Sequence, residues 1–382
     1  MSGPLEADML GWLTRHLSDQ AEWGQVEQSW QGDRQLLRFQ LPVAAERALE
    51  AAVLEEGWQW QISDARQQQP FRARLTLIGQ ALTPAHLAEV ALLIRQHGWQ
   101  PQQLQQKSLS LQPREGLACV EWLLAGEGNE DSLREQALAF ATRTGLELVL
   151  QQASAFYGLR RLICFDMDST LIKAEVIDEL AKEAGIGEQV AAITEEAMQG
   201  HIDFKESFRR RMALLNGLDE SVLQGVAARL QLMDGAEKLI STLKRMGFKV
   251  AILSGGFTYF AQYLQQRLGI DFVYANLLEL EQGKLTGRAV EPIVDATRKA
   301  ELLQQLAAQE GLCLEQTVAV GDGANDLQML AKAGIGVAFR AKPLVRASAR
   351  QSISTLGLDA ILYLLGYEES LEAGLATGTP AA

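Results

Sequence analysis

Leu162-Ile163-Cys164-Phe165-Asp166-Met167-Asp168-Ser169-Thr170 is the stretch on which the reading of this chain turns. Its first four residues form an apolar run with the length and bulk of a buried parallel strand, and none of them would give the strand a wet face. Two carboxylates then fall at the carboxyl edge of a sheet, where open α/β folds hold their ligands. Acids this close repel each other unless a cation lies between them, so the pair asks for a bound metal. An Asx-rich turn after a strand would use the same residues, and the stretch alone does not separate the two readings.

Three further signals lie downstream. Leu253-Ser254-Gly255-Gly256 closes a second apolar run; a hydroxyl beside small residues lets backbone N–H groups approach an anion, as in a phosphate nest. Lys299 stands at the start of a helix, in Asp295-Ala296-Thr297-Arg298-Lys299. Val320-Gly321-Asp322-Gly323-Ala324-Asn325-Asp326 ends another apolar strand and leads into a helix from Leu327 to Ala333. Two acids and an amide in a glycine-rich turn suit a hard cation such as Mg²⁺. Taken singly, these are also a common turn, a surface lysine and a hairpin.

Around these motifs the chain reads as alternating strands and helices, which predicts a Rossmann-like parallel α/β sheet with helices on both faces. The strand candidates are Leu162–Phe165, Val250–Leu253, Phe272–Ala275, Thr317–Val320 and Gly336–Phe339. Roughly 80 residues separate the first two, too many for one crossover helix. They read as a helical cap over about 176–232, with helices Glu179–Ala184, Gly187–Gln199, Phe204–Asn216 and Glu220–Leu230.

All seven tryptophans lie in the first third of the chain, and this composition shift marks a boundary near Ala153 to Gly158. Before it, strand Arg72–Ile78, helix Thr83–His97, strands Trp99–Leu111 and Ala118–Leu124, helix Asp131–Thr144 and strand Leu146–Gln151 give the order β-α-β-β-α-β. That is the ferredoxin-like unit. It resembles an ACT domain, a small module that often senses amino acids and pairs subunits, although its ligand loop reads Gly79-Gln80-Ala81-Leu82. The expected organisation is thus a degenerate ACT-like α+β region over 1–71, an ACT-like module over 72–153, the α/β part over 158–368 and a mobile tail over 369–382.

A net charge of −13 argues against nucleic-acid and anionic-membrane partners, which require a basic surface. Cys119, Cys164 and Cys313 are scattered and odd in number, as expected of a reducing cytoplasm. No run is long and apolar enough to span a bilayer. The four histidines show no metal spacing, and Cys164 reads as a small core residue.

In order, Asp-x-Asp-x-Thr, Ser254, Lys299 and Gly-Asp-Gly-x-Asn-Asp resemble the haloacid dehalogenase superfamily of phosphohydrolases over about residues 160–345. The resemblance implies Asp166 as nucleophile and Asp168 as general acid and base. It implies Mg²⁺ held by Asp166, the Asp168 backbone carbonyl and Asp322, with Asp326 supporting from behind. Lys299, Ser254 and the Gly255 amide would balance the phosphate charge. Asp166–Leu171, Glu175-Val176-Ile177-Asp178-Glu179 and Phe204–Leu215 narrow the likeness to the phosphoserine phosphatase branch, which ends serine biosynthesis. In that branch Glu175 would bind the substrate ammonium, Arg211 its carboxylate and Asn325 the phosphate, while Met198 and Phe204 line the cap. A zwitterionic head needs one anion and one forked cation. Glu175 as a helix cap and Arg211 as a solvated arginine are the plain alternatives. Other readings are action on a related ester such as phosphohomoserine, transfer to another acceptor, or an amino-acid-sensing protein with a vestigial phosphatase half. The ferredoxin-like part, with exposed edges, is expected to build a homodimer.

Overall fold

The apolar run before Asp166 is a central strand, buried on both faces. The computed structural model describes residues 2–4, 27–31, 34–38, 71–154 and 160–369. These divide into two units, with the chain passing from the first to the second after Arg160. Residues 245–247 and those from Ala360 on group with the first unit.

In the first unit, β1 (Ser2–Pro4), β2 (Glu27–Gln31) and β3 (Arg34–Arg38) are the described parts of the N-terminal segment. The rest of the expected degenerate module lies outside the described residues, as do 370–382. Next come β4 (Ala73–Gly79), α1 (Pro84–Gln96), β5 (Gln100–Gln106), β6 (Ala118–Ala125), α2 (Glu130–Thr144) and β7 (Glu147–Gln152). The four strands form an antiparallel sheet in the order β5-β6-β4-β7. Thr83 caps α1, accepting from the His86 amide, and Pro84 sits where no intrahelical N–H is needed. Asn129 caps α2 and Gly145 ends it in the left-handed conformation that glycine adopts without strain.

One sheet face carries Leu75, Leu77, Val120, Trp122 and Leu148, packed with Val90, Ile94, Leu133 and Phe140. Arg74, Thr76 and Glu121 point the other way and are buried as well. There Arg74 Nη1 and Glu121 Oε1 meet at 2.7 Å, with Lys107 Nζ 3.8 Å from the same carboxylate. Residues after Ala360 complete this unit: Tyr363 Oη donates to the Leu117 carbonyl (3.1 Å), and Lys107 reaches Glu368 (3.3 Å).

In the second unit, β8 (Leu162–Phe165) leads to the cap helices α3 (Val176–Glu183), α4 (Gly187–Met198), α5 (Phe204–Leu214) and α6 (Ser221–Arg229). The chain returns through α7 (Ala236–Arg245) to β9 (Lys249–Phe257), then α8 (Thr258–Leu268) and β10 (Phe272–Asn276). A hairpin follows, β11 (Leu278–Glu281) and β12 (Lys284–Ala289), then α9 (Ala296–Gln309), β13 (Thr317–Gly321), α10 (Leu327–Lys332), β14 (Ile335–Phe339), α11 (Pro343–Ser348) and β15 (Gln351–Ile353). The sheet order is β10-β9-β8-β13-β14-β15, and every pairing is parallel. Strand order reverses between β8 and β13, and that switch point opens the crevice in which such sheets bind ligands. Asp166 and Asp322 directly follow those two strands.

The cap leaves and rejoins the sheet through two adjacent strips. Lys173 N donates to Gln231 O (2.9 Å), and Met233 N to Leu171 O (2.8 Å). The hairpin β11–β12 is the main element not read from the sequence. It binds the end of α5 through Gly217 N to Leu285 O and Leu285 N to Leu218 O, each 2.8 Å. Its Gly287 has φ 70° and lies so close to Asn216 that a Cβ would come within 2.8 Å of that side chain.

Removing one partner of a buried ion pair costs up to about 3–5 kcal/mol, and less where a second cation remains, as Lys107 does 3.8 Å from Glu121. Arg74→Met should therefore destabilise the first unit by more than about 1 kcal/mol in a urea titration. A shift under about 1 kcal/mol would show that Glu121 is satisfied without Arg74.

Candidate active site

Two crossings of the sheet edge converge on one ammonium. Lys299, in the first turn of α9, is fully buried, and its Nζ lies 2.8 Å from Asp166 Oδ2 and 2.8 Å from Asp326 Oδ1. The lysine is placed by its helix start, where Asp295 accepts from the Arg298 amide (2.8 Å). Asp166 prolongs the β8–β13 ladder by donating its amide to Val320 O (2.9 Å), and its Oδ1 accepts from Met167 N (2.7 Å). Asp326 also accepts from the Gly323 amide (3.0 Å). Asp322 lies across the same loop, half-buried, and its Oδ1 accepts from Thr170 Oγ1 (3.1 Å).

Asp168 Oδ1 accepts from the amide of Val176, the first residue of α3, at 3.2 Å. Asp168 is thus the carboxylate that meets the start of α3. Glu175 stands at the cap position and makes no such bond. Glu175 Oε1 instead accepts from Ser169 Oγ (2.7 Å), and Ser169 has a left-handed backbone, φ 56°. That hydroxyl was part of the quoted motif, but nothing in the residue sequence announced the positive φ that aims it.

Ser254 is fully buried and accepts from Gly256 N (2.9 Å). Asn276 braces the loop by donating to Gly255 O (2.8 Å) and accepting from Val294 N (2.8 Å). A Cβ on Gly256 would lie 2.6 Å from Asp168 Oδ2, and one on Gly255 would lie 3.1 Å from the Phe204 ring. Glycine at both positions lets the loop, the general-acid candidate and the cap come together. Phe204 stacks on Phe208 with centroids 6.2 Å apart. Asn325 is half-buried in the turn after β13, against Gly323. Met198 ends α4, and its side chain lies outside the described residues.

Arg211, in the last turn of α5, is half-buried, and its Nε donates only weakly to Ser207 O (3.4 Å). Among the described residues it has no ion-pair partner, although Asp178, Glu175 and Asp168 lie near enough to act on it. Its neighbours Arg209 and Arg210 pair with Glu291 and Glu196. Arg211 alone of the three keeps its fork available.

Burial raises the Asp168 carboxyl well above the usual range, and Glu175 and Asp166 add to the effect. Glu175 keeps solvent-exposed surface, yet crowding of its carboxyl by protein raises it, against the Ser169 hydroxyl. Asp322 is pushed up to about 6 by burial and then by Asp166. Asp326 is pushed to about 7 by the same two causes, against the pull of Lys299. Lys299 itself is raised, because its two carboxylates outweigh its burial, so it stays protonated.

Carboxylate oxygens of Asp166, Asp322 and Asp326 all lie within 4.8 Å of one another. One ammonium cannot neutralise three acids, and an all-oxygen donor set with charge left over fits a hard divalent cation. Asp326, expected behind the site, belongs to the same cluster, and its Oδ1 is taken by Lys299.

The raised acids set a pH dependence. A carboxyl whose folded value lies above its unfolded 3.8 binds more protons folded than unfolded, so its contribution to stability falls as pH rises through the window from about 4 to about 7. The metal-free protein should gain less in Tm between about pH 5 and about pH 7 than Asp322→Asn does, and a divalent ion should restore stability at the upper end. Identical slopes for the two proteins would contradict the shift assigned to Asp322.

A model of haloacid dehalogenase-like hydrolases matches residues 160–334. A phosphoserine phosphatase of Archaeoglobus fulgidus is 46% identical over 252 residues, covering 65% of this chain and 73% of that protein. One of Streptomyces coelicolor is 43% identical over 313 residues, covering 82% and 75%. The crystal structure of a probable phosphoserine phosphatase from Vibrio cholerae superposes with a TM-score of 0.62 at 33% identity, covering 86% of this chain and 96% of that one. The family model spans Asp166, Ser254, Lys299 and Asp322, and with relatives of this identity and coverage the chain belongs to the phosphoserine phosphatase family of the haloacid dehalogenase-like hydrolases.

Proposed function

We propose that this chain hydrolyses O-phospho-L-serine to serine and phosphate, as the last step of serine biosynthesis, through an aspartyl phosphate on Asp166. The observation that carries the reading is the pairing of an Asp166 pinned to Lys299 at 2.8 Å with a neighbouring Asp168 whose carboxyl is raised by burial. Burial favours the protonated form of Asp168, as a general acid requires, while Asp166 lies against the ammonium with its carboxylate placed as a nucleophile.

Asp166 attacks phosphorus while Asp168 gives its proton to the departing serine oxygen. Asp168, now ionised, takes a proton from the water that attacks the acyl phosphate, which frees phosphate and restores Asp166. Lys299, the Ser254 hydroxyl and the Gly255 amide stabilise the non-bridging oxygens, and Asn325 helps to hold them. Mg²⁺ held by Asp166, the Asp168 carbonyl and Asp322, with Asp326 behind, would neutralise phosphate charge and align it for attack. Glu175 takes the ammonium of the substrate and Arg211 its carboxylate, with Met198 and Phe204 closing the cap. The strand order β5-β6-β4-β7 and the element order before it support a ferredoxin-like, ACT-like module in the first unit, which would pair two chains. No helix among the described residues is long and apolar enough to cross a membrane, and the low cysteine usage fits the cytoplasm.

Asp166→Asn should fold and lose turnover, because an amide forms no acyl phosphate; substantial phosphatase activity in that variant would remove the assignment. Arg211→Ala should lower kcat/KM for phosphoserine by roughly ten- to a hundredfold, the worth of a charge-assisted pair. Phosphoethanolamine, which lacks the carboxylate, should be affected far less. An equal fall for both substrates would move Arg211 to the phosphate or to a structural role.

A further inference from the structure

Thr170 is fully buried, four residues past Asp166, in a turn whose geometry is set by its backbone. Met167 O accepts from the amides of Thr170 (3.3 Å), Leu171 (2.8 Å) and Ile172 (3.1 Å), so the threonine has little freedom to move. Its Oγ1 donates across 152 residues of sequence to Asp322 Oδ1. Among the described residues this is the one side-chain hydrogen bond that Asp322 makes. Glycines flank Asp322 on both sides, so its own loop supplies no neighbouring side chain to hold it. Asp166 and Asp326 are each tied by the Lys299 ammonium and by a backbone amide. Of the three clustered carboxylates, Asp322 is the one whose direction depends on a neutral hydroxyl.

We propose that Thr170 is a positioning residue for the cation site, its hydroxyl fixing the Asp322 carboxylate so that the remaining lone pairs face Asp166. This rests on reading Asp322 as a metal ligand. A carboxylate ligand left to rotate must lose that freedom when the ion binds, and outer hydrogen bonds to ligating carboxylates remove this cost in advance. The hydroxyl is engaged by Asp322, so its effect falls on ion affinity before it falls on chemistry.

The test is Mn²⁺ binding to the substrate-free protein, followed by calorimetry or by the free-ion spin-resonance signal, for wild type, Thr170→Val, Thr170→Ser and Asp322→Asn. Valine keeps the shape and removes the donor. Thr170→Val should weaken Mn²⁺ binding by about ten- to a hundredfold, while kcat at saturating metal changes much less. Thr170→Ser, which keeps the hydroxyl, should bind nearly as wild type does. Thr170→Cys, with a weak donor of similar size, should weaken binding in the same direction and replaces the valine variant if that fails to fold. Wild-type affinity in Thr170→Val or Thr170→Cys alongside weak binding in Asp322→Asn overturns the role of Thr170 and leaves the metal reading intact. Wild-type affinity in Asp322→Asn overturns the reading of Asp322 and this inference with it. A serine variant as weak as the valine one shows that shape, not the hydroxyl, holds the site.

Discussion

One buried ammonium holds this site together. Lys299 has no exposed surface and lies 2.8 Å from a carboxylate on each of two crossings of the sheet edge. Without it, Asp166 and Asp326 would face each other inside the protein with nothing to oppose their repulsion. With it, Asp166 and Asp326 gain a counter-charge, while Asp168, Asp322 and Asp326 itself remain raised. That leftover charge invites a divalent ion, and the raised Asp168 keeps a proton ready. The parallel sheet serves this arrangement by bringing β8, β13 and the start of α9 to one edge at the point where strand order reverses.

The cap brings further residues to this charge pattern. Its first helix offers the Val176 amide to Asp168, and its third brings Phe204 against Gly255 and carries Arg211, which has no ion-pair partner among the described residues. Lys205 and Arg209, one turn apart on that helix, pair with Asp295 and Glu291 in the loop leading to Lys299. Exposed pairs of this kind contribute little to stability. They tie the helix that carries Arg211 to the loop that ends at Lys299.

Much of this was legible in the residues. Leu162–Phe165 is a strand with the bounds its apolar run implied, because a strand buried on both faces must be apolar throughout. Asp-x-Asp and Gly-Asp-Gly-x-Asn-Asp mark the ends of neighbouring strands, and the ordered motifs brought Lys299 to them from a position where a solvated lysine was the plainer reading. The hairpin β11–β12 escaped because Leu278–Glu281 and Lys284–Ala289 are short, partly exposed and mixed in character. Their pairing is closed by the two-residue turn Gln282-Gly283, both at positive φ, and the hairpin is held against the end of α5. The positive φ of Ser169 and the bond from Thr170 to Asp322 are likewise tertiary facts. Both residues were visible as hydroxyls in a motif, and neither their direction nor their partner could be read there.

The account stands most directly on the covalent state of Asp166 during turnover. Protein mixed with phosphoserine and Mg²⁺, quenched in acid within the first turnover and digested with trypsin, yields the peptide Leu162–Lys173 for mass spectrometry. A phosphoryl group on Asp166 that hydroxylamine discharges is the predicted result. Phosphate released in the same time with that peptide unmodified, or the group found on Asp168, Ser169 or Thr170 instead, would contradict the account.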